Sequence, residues 1–281
     1  MIDIHSHIIP KIDDGAADIS ESIDMLRAAA GAGVTLIVAT PHCASYPSSP
    51  RTPQIALGLQ ELAAASARDS EASKVELAMG AEILLDPGVR EVLDGGGIPV
   101  LGGTGKHVLV ELPMLAVPDY TEATLFELKA YGYVPIIAHP ERNHELSQDM
   151  DLLCRLINMG VLVQLDAGSI VGAYGSIAEQ GALTILKRRM CHFIASDAHS
   201  PTAYSRLLPQ ARQRTASLMG EETATELFEE NPKAILEGIT PKVPEPVISP
   251  KADTAETSRA PARKRERIGG LAGLFKGWKE K

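Results

Sequence analysis

The chain has 281 residues, 44 % hydrophobic and 22 % charged, with a formal net charge of −9. That length admits one large domain plus a tail, the composition is that of a soluble globular protein, and the acidic balance argues against a nucleic-acid binder, which meets phosphate with clustered Lys and Arg. Three widely spaced cysteines, Cys43, Cys154 and Cys191, suggest no disulfide framework, and the start MIDIHSHIIP lacks the basic and then apolar run of a signal peptide, so a reducing cytoplasm is expected.

Runs rich in Val, Ile and Leu recur at 2–4, 34–39, 75–84, 107–112, 134–138, 161–166 and 192–196, which gives seven expected strands. The segments between them read as helices. In 21–33, for example, Ile23, Leu26 and Ala30 fall on one helical face and glycines mark the stop. Repeated βα units imply a parallel sheet with right-handed crossovers, closed as a barrel or open as a doubly wound sheet.

Polar residues at the strand ends favour the barrel. The first strand ends in DIHSH, where His5 and His7, two apart in extended chain, can present two imidazoles to one ion. Taken alone, this pair reads equally well as two surface histidines. The second strand runs into ATPH with His42, and the third and fourth carry Glu82 and Glu111 in apolar surroundings, where an unpaired carboxylate is too costly to leave without a cation or several donors. His139 and Arg142 follow in AHPER, and Asp197 and His199 in SDAH repeat the spacing of the first pair. Eight ligand-type side chains at the C-terminal ends of successive strands converge on one mouth in a barrel, whereas an open sheet spreads them along an edge. Imidazoles and carboxylates without thiolates suit Zn, Mn or Fe(II), and eight are too many for one ion, so two or three divalent metals are expected.

After about residue 240 the composition changes. Residues 241–262 are rich in Pro, Ala, Ser and Thr and read as a disordered linker. Residues 263–281 place Ile268, Leu271, Leu274, Phe275 and Trp278 on one helical stripe flanked by Lys and Arg, although four glycines weaken any helix there. Residues 251–281 hold nine Lys and Arg against four acids, a net +5 that leaves −14 on the rest of the chain. This contrast suggests a tail that meets an anionic membrane face or an acidic partner.

Taken together and in this order, the HxH start, IDDGA (12–16), ATPH, GAEI, LVELP, AHPER and SDAH resemble the PHP superfamily, and within it the bacterial protein-tyrosine phosphatase branch of the CpsB and YwqE type. The resemblance covers roughly residues 1–240. It implies a distorted (β/α)7 barrel of the PHP type, agreeing with the seven strands counted independently, and a trinuclear cluster held by His5, His7, His42, Glu82, Glu111, His139, Asp197 and His199, with Glu111 as a bridge. It further implies Arg142 as a phosphate-binding or transition-state residue. Asp14 carries over as a candidate acid for the leaving oxygen, its equal alternative being a turn-former before Gly15. The second arginine of the family matches Arg206, which comes slightly late in SDAHSPTAYSR, and Ser6 stands where the family commonly has Cys.

The function implied is hydrolysis of phosphotyrosine on protein by direct attack of a metal-bound hydroxide, opposing a bacterial tyrosine kinase that controls polysaccharide export. The alternative is a PHP phosphatase of a small phosphomonoester such as histidinol phosphate. A thiol-phosphatase route needs an arginine six residues after a cysteine, and positions 49, 160 and 197 are Ser49, Gly160 and Asp197. The chain is expected in the cytoplasm, in peripheral contact with the membrane through its tail, and its oligomeric state is left open.

Overall fold

The computed structural model describes residues 1–241 apart from 47, 48, 50 and 104. The expected linker and basic tail lie outside the described residues but for Pro241. Among the described residues nine parallel strands form two sheets. One has the order β1 (Ile2–Ser6), β2 (Leu36–Ala39), β4 (Glu76–Met79). The other has the order β3 (His42–Cys43), β5 (Glu82–Leu84), β6 (His107–Glu111), β7 (Val134–Ala138), β8 (Leu162–Asp166), β9 (Phe193–Ala195). Every residue of β7 and β8 is buried, as in parallel strands covered on both faces.

One expectation about the strands needs correction: the run 75–84 is two strands, because the chain breaks at Gly80 and Ala81. Beside it β2 stops at Ala39, and beyond Thr40 and Pro41 a short strand that was not expected, β3, forms. Pro41 has no N–H to give to the ladder. A Cβ at Gly80 would come within 2.8 Å of Val38 and 2.9 Å of Leu101, so only glycine fits where the two strands turn together. The ladder resumes beyond the break with Glu82 N donating to Pro41 O at 3.2 Å, and this puts His42 directly opposite Glu82. The outer strands also meet: Asp197 N donates to His5 O at 3.0 Å and His7 N to Ala198 O at 2.9 Å, with Ser6 and Ala198 forming an isolated bridge.

Between the strands run helices, beginning with α1 (Ile19–Gly31). Asp18 caps α1 by accepting from Ser20 N at 2.9 Å and Glu21 N at 3.0 Å, which satisfies donors that the first turn leaves unpaired. Its buried face is Ser22, Met25, Leu26 and Ala29, turned from the expected one, so Ile23 and Ala30 are only half-buried. A first hydrophobic cluster joins helices to strands, and a second gathers Ile4, Val38, Leu109, Ile136, Leu162 and Phe193 from six strands of both sheets. No helix among the described residues is long and apolar enough to cross a membrane.

Candidate metal centre

The tightest group of donors contains His5, His7, Glu82 and Asp197, all buried. His5 Nε2 stands 3.2 Å from His7 Nε2, 3.3 Å from Glu82 Oε2 and 3.3 Å from Asp197 Oδ1. His7 Nε2 lies 3.4 Å and 3.2 Å from the same two oxygens. The other ring nitrogens are already committed. His5 Nδ1 donates to Gln164 Oε1 at 3.0 Å, and the amide cannot be turned round because Gln164 Nε2 donates to Leu165 O at 2.8 Å. His7 Nδ1 donates to Asp13 Oδ2 at 2.7 Å. With a proton on each Nδ1, the two Nε2 atoms face each other across 3.2 Å, and each has a lone pair for a cation once its ring is neutral.

That arrangement fits a cation. A regular tetrahedron with metal–ligand bonds of about 2.0–2.1 Å has edges of about 3.3–3.4 Å, the scale of the separations here. Glu82 Oε2 and Asp197 Oδ1 are buried and meet no hydrogen-bond donor in bonding geometry, although imidazole nitrogens stand 2.9–3.4 Å away. A buried carboxylate oxygen without a donor costs roughly 1–3 kcal/mol or more, and a shared cation removes that cost.

Two further groups adjoin the first. His42, Glu82 and Glu111 form one, with His42 Nδ1 at 2.9 Å from Glu82 Oε2 and 3.9 Å from Glu111 Oε2. His139 Nε2 approaches the same carboxylates, at 2.9 Å from Glu82 Oε1 and 3.9 Å from Glu111 Oε1. The other is more open: Asp14 Oδ1 lies 3.5 Å from His42 Nε2 and 3.3 Å from His199 Nε2, and His7 completes the set. The eight residues singled out in the sequence therefore meet in one place, with Asp14 as a ninth beside His42 and His199.

Local backbone explains the meeting. His139 and Asp197 both have positive φ, 31° and 47°, a conformation that costs a non-glycine residue about 1 kcal/mol or more and here turns two donors inward as their strands end. The IDDGA loop folds back over the first strand, with Ala16 N donating to His7 O at 3.1 Å, and a Cβ on Gly15 would fall 2.0 Å from that oxygen, so glycine is required there. Asp13 is what the fold-back delivers. One of its oxygens holds both His7 Nδ1 and, at 3.0 Å, His42 N.

Charge follows geometry. Burial works against a proton on His5, but Glu82 and Asp197 outweigh it and push its pKa up to about 9. His7 is likewise raised well above the ordinary range against its burial, through Asp13, Asp197 and Glu82. Burial would raise Glu82 and Asp197, yet the surrounding imidazoles hold both well below the usual carboxylate range. Glu111 goes the other way, raised by burial and by the charge of Glu82.

Arg142 reaches the edge of the centre, its Nη1 donating to Asp197 Oδ2 at 2.6 Å and to Asp166 Oδ2 at 3.2 Å. Arg206 does not join it: it is exposed in a short π-helical turn (Ala203–Leu207) and makes no ion pair among the described residues. Asp13, Gln164, Asp166 and Tyr174 escaped the sequence reading. Only Asp13 had a local signal, its place in IDDG between a histidine pair and a glycine.

A family model described as capsular polysaccharide synthesis, CpsB/CapC, matches residues 1–237. The CapC protein of Staphylococcus aureus is 38 % identical over 212 residues, covering 75 % of this chain and 81 % of its own. The tyrosine-protein phosphatase YwqE of Bacillus subtilis is 36 % identical over 206 residues, covering 71 % and 78 %. A solved structure from work on YwqE of Bacillus subtilis and CpsB of Streptococcus pneumoniae, described as metal-dependent tyrosine phosphatases, superposes with a TM-score of 0.82 at 32 % identity, covering 88 % of this chain and 98 % of that one.

Proposed function

The chain belongs to the CpsB/CapC family, and from that membership we propose that it is a metal-dependent phosphatase acting on phosphotyrosine in protein. The observation that carries the reading is the facing pair of Nε2 atoms at His5 and His7 beside two buried carboxylate oxygens without hydrogen-bond donors. We read the two sheets as one distorted (β/α)7 barrel spanning residues 1–240. The breaks in β2–β3 and β4–β5 are bends within two strands, and the bonds from His5 and His7 to the segment after β9 support closure, as does the cluster drawn from six strands.

Two or three ions of the Mn, Fe or Zn type would suit these groups: His5, His7, Glu82 and Asp197 would hold one, Glu82, Glu111, His42 and His139 a second, and Asp14 and His199, beside His42 on the open side, a third. Ions bound there supply positive charge against the phosphoryl oxygens and acidify a water in the cleft. The residues of the chain do the rest. Glu82 links the first two groups, with one oxygen near His5, His7 and His42 and the other against His139. Asp13 and Gln164 keep His7 and His5 protonated on Nδ1 so that both Nε2 atoms stay free to bind. Arg142 holds the phosphate. We read Asp14, beside His42 and His199, as a donor rather than as an acid for the leaving oxygen, and we leave Arg206, exposed and in no ion pair among the described residues, out of the chemistry. Cysteine chemistry is disfavoured as well, since burial pushes the Cys43 thiol up to about 12 and raises that of Cys191 further.

The relatives point to a phosphotyrosine protein as substrate, and a tyrosine kinase of a polysaccharide-export system is the partner we infer, met in the cytoplasm with the basic tail against the membrane. Deleting 263–281 then lowers binding to anionic vesicles. The test of the activity is chelation: exhaustive metal removal abolishes turnover of an aryl phosphate and of a tyrosine-phosphorylated peptide, and adding back Mn, Fe or Zn restores both. Full turnover by the stripped protein refutes the proposal.

A further inference from the structure

Arg142 is held on two sides in the cleft lined by Tyr174, Asp197, His199, Ser200 and Thr202. Its Nη1 is occupied by Asp197 and Asp166, while Nε and Nη2 make no hydrogen bond among the described residues. Those two nitrogens form one edge of the planar fork, spaced to meet two oxygens of a phosphate together. The second restraint is aromatic: the guanidinium carbon lies 4.7 Å from the centre of the Tyr174 ring.

The ring is itself held in place. A Cβ on Gly168 would come 2.4 Å from Tyr174 Cε2 and 2.7 Å from Cζ, so the phenol packs on bare backbone where any other residue would displace it. Gly168 is anchored in turn, its N–H donating to Asp166 Oδ1 at 2.7 Å, and Asp166 is the carboxylate that shares Arg142. Burial, with Asp166 and Asp197, raises the phenol, so the ring stays neutral, and its hydroxyl makes no hydrogen bond among the described residues. What Tyr174 offers Arg142 is therefore a face, with no use yet made of its oxygen.

We propose that Tyr174, seated on Gly168, is a positioning residue that fixes the Arg142 guanidinium with its Nε–Nη2 edge free to grip the phosphoryl group of the substrate. The inference rests on the phosphatase reading. A free arginine has several rotatable bonds to freeze on binding, and a ring that freezes them beforehand spares the substrate that cost.

The experiment uses the metal-loaded full chain, with metal content measured for each variant. Affinity for inorganic phosphate is read by calorimetry, and kcat/KM on p-nitrophenyl phosphate and a phosphotyrosyl peptide by initial rates. Tyr174→Phe stays within about twofold of the parent, whereas Tyr174→Leu loses about tenfold in phosphate affinity and in kcat/KM at unchanged metal content. Gly168→Ala, which keeps the tyrosine but displaces its ring, reproduces that loss and serves if the leucine variant does not fold. In an Arg142→Ala background, Tyr174→Leu costs nothing further. Undiminished phosphate affinity in Tyr174→Leu, or the same loss with and without Arg142, overturns the proposal. A parent protein that binds phosphate but hydrolyses neither substrate refutes the phosphatase reading instead, and the comparison of phosphate affinities still decides the role of Tyr174.

Discussion

The two ends of the parallel strands hold histidines under opposite conditions. At the C-terminal ends His5, His7, His42, His139 and His199 stand among carboxylates. At the N-terminal ends His107 opens β6 and His192 precedes β9, both buried. Burial opposes a proton at either end. At the mouth the carboxylates outweigh it, and His5, His7 and His42 are raised. At the base nothing does: burial brings His192 down to about 4, and burial together with Lys106 brings His107 to about 4. Burial alone thus favours the neutral form of a histidine, whereas carboxylates around the ring favour the charged one.

The largest test of this contrast is Glu82→Gln. The carboxylate lies within 3.4 Å of His5, His7, His42 and His139, so its charge serves at least two donor groups. We expect a loss on the order of a thousandfold in kcat/KM, with metal content falling in elemental analysis. A variant that keeps its metal and its rate would show that the carboxylate charge at the mouth is incidental. Next comes Asp13→Ala, which frees His7 Nδ1 and should cost about 10–100-fold in metal affinity, measured by competition with a chromogenic chelator. Smaller again is the effect of Asp14→Ala, on the open side where the carboxylate is 71 % exposed: about tenfold in affinity for one ion, with the remaining metal retained.

The smallest effect belongs to the base. An unfolded histidine takes up its proton near pH 6.5, whereas folded His192 does so only near 4, so across that window the unfolded chain binds more protons and stability falls as the pH falls. The loss is roughly 2–3 kcal/mol by pH 4. His192→Gln, whose side-chain oxygen can still accept from Val163 N, should shrink the drop in thermal midpoint between pH 6.5 and 4.5 by several degrees. An unchanged drop would mean that His192 is not held neutral by burial.

Much of this was legible along the chain, for a physical reason. Strands buried on both faces are nearly pure Val, Ile and Leu, so a histidine or carboxylate closing such a run is conspicuous, and the recurrence of βα units implies that those ends gather. The break in 75–84 was not legible, because the apolar pattern continues through Gly80 and Ala81 and only the paired turn beside Pro41 shows that the strand bends. Nor was the true face of α1, which shifts by about one residue so that Met25 and Ala29 join the core.

By itself the sequence determined the alternation of strands and helices and marked eight candidate donors, because hydrophobic periodicity and the cost of burying an unpaired charge are both local properties. Only the tertiary structure decided which donor stands with which and what orients each. Gln164 meets His5 across 159 positions and Arg142 meets Asp197 across 55, and Tyr174 finds its seat because Gly168 has no side chain. Such pairings depend on strand order and backbone turns, and those arise only when distant segments pack against one another.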